Sequence, residues 1–109
     1  MATEFGEEVW LHERHEISVV ELADCAGLSE AEVRELVEYG ALVPADAMNW
    51  MFSSACVGHV RAAMRMRRDL ELDTAAFALV VSFLERIGEL EAQVRDLRAR
   101  FGVRPHTGA

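Results

Sequence analysis

The sequence predicts a mainly α protein: a helix-turn-helix unit with a small β wing, followed by a long C-terminal coiled-coil-type helix. Three observations lead there. Two helix-start signatures, each a serine followed three residues later by a glutamate, stand eleven residues apart at Ser18/Glu21 and Ser29/Glu32. Glycine stops, Gly27 and Gly40, follow each of them. Near the end of the chain, apolar residues recur at alternating spacings of four and three from Ala76 to Phe101, the pattern of a coiled-coil seam.

The elements follow in order. Val9-Trp10-Leu11 sits in a polar stretch and is a candidate short strand. Ser18 caps a first helix, Val19 to Ala26, which Gly27 stops. Leu28 is an apolar staple ahead of Ser29, the cap of a second helix with Val33, Leu36 and Val37 on one face. Two short helices across a tight glycine turn make the helix-turn-helix. The apolar exit Ala41-Leu42-Val43-Pro44 and a loop over residues 45–49 lead to an aromatic strand, Asn49-Trp50-Met51-Phe52. Ser53 or Ser54 caps a third helix. Val57, Val60, Met64 and Arg67 or Leu70 line its buried side, with Arg61, Arg65 and Arg68 opposite.

Asp73 or Thr74 opens the last helix. Its stripe of Val80, Phe83, Ile87, Leu90, Val94, Leu97 and Phe101 is the expected dimerisation seam, flanked by the i,i+4 pairs Glu91–Arg95 and Asp96–Arg100. From Thr74 to Arg100 such a helix is about 40 Å long, more than a domain of this size covers by itself, so a homodimer is expected. Gly88 is a candidate bend. The organisation expected is therefore residues 1–72 as a helix-turn-helix domain with its wing, 73–101 as a dimerisation helix and 102–109 as a flexible tail.

Charge separates the function classes. The 109 residues carry a net charge of −8, and every one of the eleven basic residues is arginine. Residues 1–50 hold twelve acids against Arg14 and Arg34, a net of −10, while residues 51–109 hold seven acids against nine arginines, a net of +2. The first half repels a polyanion and attracts a cationic protein face. In a DNA-reading helix-turn-helix the second helix lies in the major groove. Here its outward side chains are Glu30, Glu32, Arg34, Glu35 and Glu38, and the wing from Ala45 to Phe52 has no base. Nucleic acid is thus an unfavourable partner for this face. Glu30, Glu32, Glu35 and Glu38, with Tyr39 and Leu42 as rim anchors, are the candidate partner-binding set.

Other chemistry finds little footing. No apolar run reaches the length of a membrane span, and the acidic N-terminus is unlike a signal peptide, so a cytoplasmic protein with no membrane contact is expected. Cys25 and Cys56 are expected as buried thiols. His12, Glu13, His15 and Glu16 match no metal-ligand spacing, and Cys56 with His59 lacks two further ligands. With neither a phosphate loop nor a nucleophile beside a base, no enzyme, metal or cofactor is expected.

The order of elements, together with Gly27-Leu28-Ser29-Glu30, Gly40-Ala41-Leu42-Val43-Pro44, Trp50-Met51-Phe52 and above all Arg65-Met66-Arg67-Arg68-Asp69-Leu70-Glu71-Leu72-Asp73, resembles the MerR-like winged helix-turn-helix family over residues 17–101. Within that family it is most similar to the chaperone-modulator CbpM group. After the last aspartate the group has an aromatic residue and a proline, where this chain has Thr74-Ala75. The resemblance implies a non-enzymatic inhibitor that binds the J domain of a DnaJ-like co-chaperone of the CbpA type. Such a modulator covers the basic helix through which a J domain engages its DnaK-type chaperone. The alternative is a MerR-like transcription regulator that binds DNA through Arg61, Arg65, Arg67 and Arg68.

Overall fold

The computed structural model describes residues 15–102, so the expected strand at Val9-Trp10-Leu11 and the tail beyond Gly102 lie outside the described residues. The elements run β1 (Glu16–Ser18), α1 (Val19–Ala26), α2 (Glu30–Glu38), β2 (Met51–Ser53), α3 (Cys56–Leu70) and α4 (Thr74–Phe101). Among the described residues the fold is mainly helical, with a small two-stranded sheet and a long terminal helix, as predicted.

Both predicted capping boxes form. Ser18 Oγ accepts from Glu21 N–H at 3.1 Å while Glu21 Oε1 accepts from Ser18 N–H at 2.8 Å. The Ser29–Glu32 pair repeats this at 3.1 and 2.9 Å. Each box satisfies two of the backbone N–H groups that a helix start leaves without intrahelical partners. Gly27, at φ 79°, turns the chain out of α1 and lets Leu28 drop into the core at 8% exposure.

Strand pairing differs in detail from the prediction. β1 has no counterpart among the predicted elements: it pairs antiparallel with β2, setting Ile17 opposite Phe52, both buried at 1% exposure. The aromatic strand begins at Met51 rather than Asn49, because residues 47–50 turn. The Asp46 carboxylate gathers the N–H groups of Met48 and Asn49 and the Asn49 side chain. An isolated bridge between Asp46 and Met51 closes the wing. Trp50 takes up the turn at φ 53°, a left-handed conformation costly for a bulky side chain.

The predicted cap of α3 is also corrected. Ala55 stands at that position without a side-chain bond, while the buried Ser54 hydroxyl accepts from His15 N–H at 3.0 Å. Ser54 therefore ties β1 to the start of α3. Val57, Val60 and Ala63 form the buried side of α3; Leu70 is 63% exposed and outside it.

The core runs from Ile17 to Val81. α1 packs on α2 and on α3, and α3 packs on α4. The first turns of α4 contribute Phe77, Ala78 and Val81, with Leu84 packed against them. At 100° per residue this core-facing stripe lies roughly 140° around the helix from the predicted seam. Val80 sits at the boundary, partly buried against the core. Phe83, Ile87, Leu90, Val94, Leu97 and Phe101 are 44–75% exposed. Among the described residues no helix is long and apolar enough to cross a membrane.

Candidate protein-docking face

α2 has an inner edge of Val33 and Leu36, at 0 and 1% exposure. Opposite that edge, Glu30, Glu38 and Glu35 span about 140° of the helix surface and are exposed. Arg34 projects from the middle of this arc, but its guanidinium lies 5.0 Å from the centroid of the Trp50 ring. Trp50 in turn meets the buried Phe52 edge-on, with centroids 6.0 Å apart. The one base on α2 is exposed but stacked on the wing, among three outward carboxylates.

Glu32 occupies a different position. It lies at the flank of the helix and uses both carboxylate oxygens within the fold. Oε1 accepts from Ser29 N–H, and Oε2 accepts from Arg67 Nη2 at 3.0 Å. The Ser29 N–H above all, and then Arg67, hold its carboxyl below the ordinary glutamate range. Glu32 is thus only partly available to a partner.

The expected anchors separate. Tyr39, the residue that closes α2, is 56% exposed. Leu42 is not at the rim: it lies in the core at 2% exposure. The chain reverses after Gly40, at φ 80°, and the N–H groups of Ala41 and Leu42 both return to Leu36 C=O, which pulls Leu42 inward. The residue exposed in this exit is Val43, at 79%.

Sequence reasoning missed two long-range contacts. One is Arg67, which binds Glu32 and also lies 4.9 Å above the Phe77 ring. The other involves His59, whose Nδ1 is 2.6 Å from Glu85 Oε2. The imidazole rests on Gly88 so closely that a Cβ there would stand 2.5 Å from His59 Cε1. His59, Glu85 and Gly88 line a cleft of about 390 Å³ with Cys56, Leu42 and Phe52. Burial, then the nearby Glu85 charge, pushes the Cys56 thiol up to about 12. Burial, then Asp24 and Glu21, also raises Cys25. Both cysteines are free thiols. Neither contact had a local signal, since the partners are 35 and 26 residues apart. Among the described residues no group of three or more His, Cys, Asp or Glu side chains could hold a metal ion.

The chain has relatives. Residues 17–99 match the family described as MerR HTH family regulatory protein. The chaperone modulatory protein CbpM of Salmonella arizonae is 31% identical over 85 residues, which is 76% of this chain and 84% of that protein. The proteins of the same name from Escherichia coli O1:K1 and O139:H28 are 29% identical over the same shares. With the helix-turn-helix, the wing and the long terminal helix all in place, the chain belongs to the CbpM family of MerR-like proteins.

Proposed function

We propose that this protein is a chaperone modulator that docks the acidic face of α2 on the J domain of a DnaJ-like co-chaperone and competes there with the DnaK-type chaperone. The observation that carries the reading is the α2 surface: Glu30, Glu35 and Glu38 are exposed, and the one base among them is stacked on Trp50. Carboxylates in this arrangement attract and orient a cationic helix, and the exposed Tyr39 beside them offers aromatic contact area. The relatives' name, chaperone modulatory protein, supports the same reading.

The exposed stripe from Phe83 to Phe101 supports a homodimer as the working form. Binding itself needs no covalent chemistry, so the modulator works by occupying a surface. A DNA-binding role would rest on the α3 arginines. Arg67 is committed to Glu32 and Phe77, and Arg61 is partly buried, leaving Arg65 and Arg68 as the exposed pair. Two arginines neutralise too few phosphates to offset the acidic half.

Calorimetric titration against a purified J domain tests the reading. Binding that weakens at least tenfold in a Glu30→Arg, Glu35→Arg, Glu38→Arg variant, and that weakens with added salt in the parent protein, is the expected result. Unchanged affinity after the triple reversal would remove this surface from the interaction.

A further inference from the structure

α2 has no backbone contact with α3 or α4 as extensive as those joining α1 to α2, α1 to α3 and α3 to α4. The attitude of the acidic face toward the long helix therefore rests on side chains. Val33 and Leu36 share the apolar core with α3 and α4, and one polar side chain also spans the gap. Arg67 leaves the last turn of α3, and its Nη2 reaches Glu32 Oε2 on α2 at 3.0 Å. The same guanidinium lies 4.9 Å from the ring centroid of Phe77, a core residue of α4 at 2% exposure. The Arg67 backbone is held as well. Its carbonyl accepts the N–H of Leu72 at 3.1 Å and that of Glu71, which turns the chain toward α4 in a left-handed conformation at φ 54°.

The two ends of this link are themselves fixed. Glu32 keeps its other oxygen on Ser29 N–H at 2.9 Å, so the carboxylate is anchored to the start of α2 before Arg67 meets it. Phe77 is locked among core side chains. A planar guanidinium can donate to a carboxylate through its edge while its face lies on an aromatic ring; an ammonium has no such face. The residue type matches a double task.

We infer that Arg67 is a positioning residue, which ties the N-terminal turn of the acidic docking helix to the base of α4 and so fixes the angle at which Glu30, Glu35 and Glu38 are presented. Glu32 is then the tether point and not a docking carboxylate. Arg67 adds a polar link between Phe77 and α2 to the apolar packing of Val33 and Leu36 in the shared core. For partner binding, the inference rests on the function proposed above; the tether itself does not.

Three variants test it: Arg67→Met, which keeps the aliphatic stem over Phe77; Arg67→Lys, which keeps the charge; and Glu32→Gln. Amide hydrogen exchange is measured first, without a partner. Arg67→Met is expected to speed exchange at the amides of residues 32–34 about fivefold, the scale of a partly buried ion pair plus a cation–π contact, with Arg67→Lys intermediate. Titration with the J domain follows. There Arg67→Met and Glu32→Gln each weaken binding about fivefold, and the double variant is no weaker than either single one.

Unchanged exchange in Arg67→Met refutes the tether. Faster exchange with parental affinity refutes its role in presenting the face, as does a double variant whose losses add. If the parent protein itself does not bind the J domain, the functional reading fails while the exchange data still decide the tether.

Discussion

Replacing Gly88 by alanine should lower stability, although alanine is the better helix former, and the reason is a single imidazole. In an exposed helix interior the exchange gains about 1 kcal/mol. Here the new Cβ would stand 2.5 Å from His59 Cε1 and 2.9 Å from Nε2, so the ring must retreat by most of an ångström to restore ordinary contact. The ring cannot do so freely, because its Nδ1 is held 2.6 Å from Glu85. Driving a side chain about 30° off its rotamer costs about 1 kcal/mol, and losing a half-buried hydrogen bond costs about 1 kcal/mol more. The net effect is a loss of about 1 kcal/mol, or roughly 4–8 °C for a domain of this size. In a His59→Ala background the obstacle is gone, and the same substitution should gain about 1 kcal/mol. The assay is a four-member thermal or denaturant cycle at neutral pH and one protein concentration, because the proposed dimer would make the midpoint concentration-dependent. The opposite signs are the diagnostic. If Gly88→Ala stabilises both backgrounds equally, the close approach of His59 does not constrain this position.

Other substitutions separate stability from binding. Leu42→Ala should cost about 2–5 kcal/mol of stability because Leu42 is fully buried, whereas Tyr39→Ala should leave the midpoint almost unchanged and reduce J-domain affinity. Mass spectrometry after iodoacetamide treatment at pH 8 should show Cys25 modified ahead of Cys56: a thiol at about 12 is thiolate in only about one molecule in ten thousand at that pH. Because folding lowers the Glu32 carboxyl below its unfolded value, its stabilisation is present above the ordinary glutamate range and disappears as pH falls through the folded value. The stability difference between the parent and Glu32→Gln should therefore shrink on acidification; a constant difference from pH 7 to 3 would contradict that assignment. Glu38→Lys should raise the thermal midpoint while weakening J-domain binding, and a variant that loses both would show that Glu38 supports the fold.

What could be read from the sequence was local. Ser18 with Glu21 and Ser29 with Glu32 announce their helices because a capping box is complete within four residues. Gly27 and Gly40 mark the turns because few other residues adopt their left-handed φ at so little cost. The stripe from Phe83 to Phe101 is legible because a helix repeats its faces. What escaped depends on distant partners. β1 is three residues long and exists through its pairing with β2 some 35 residues on. Leu42 looked like a rim residue until the two N–H groups returning to Leu36 folded it inward. The core face of α4, through Phe77 and Val81, was hidden because the longer 4-3 stripe runs on another side of the same helix. Among the proposed docking carboxylates, Glu32 is marked in the sequence as the capping partner of Ser29, but its second tie, to Arg67, appears only in the fold.

The distribution of charge along α2 is what the proposed docking role would require, and stability alone does not explain all of it. Glu30 and Glu32 lie in the first turn, where carboxylates favour the positive end of the helix dipole, and Glu32 also completes the cap. Stability alone accounts for both. Glu35 and Glu38 lie toward the other end, where the dipole is negative, and the last turn carries no base. Their charges are unfavourable there by some tenths of a kcal/mol each, and neither has the structural duty that Glu32 has. Selection for stability alone would favour lysine or arginine at these positions. A cationic partner reverses the sign of the effect, because its charges act on the same end of the helix as a C-terminal base does. Docking of a cationic partner would thus improve the state of α2, as expected if the surface is kept for binding at some cost to stability. DNA cannot supply that relief: its phosphates would add negative charge to the negative end of the helix.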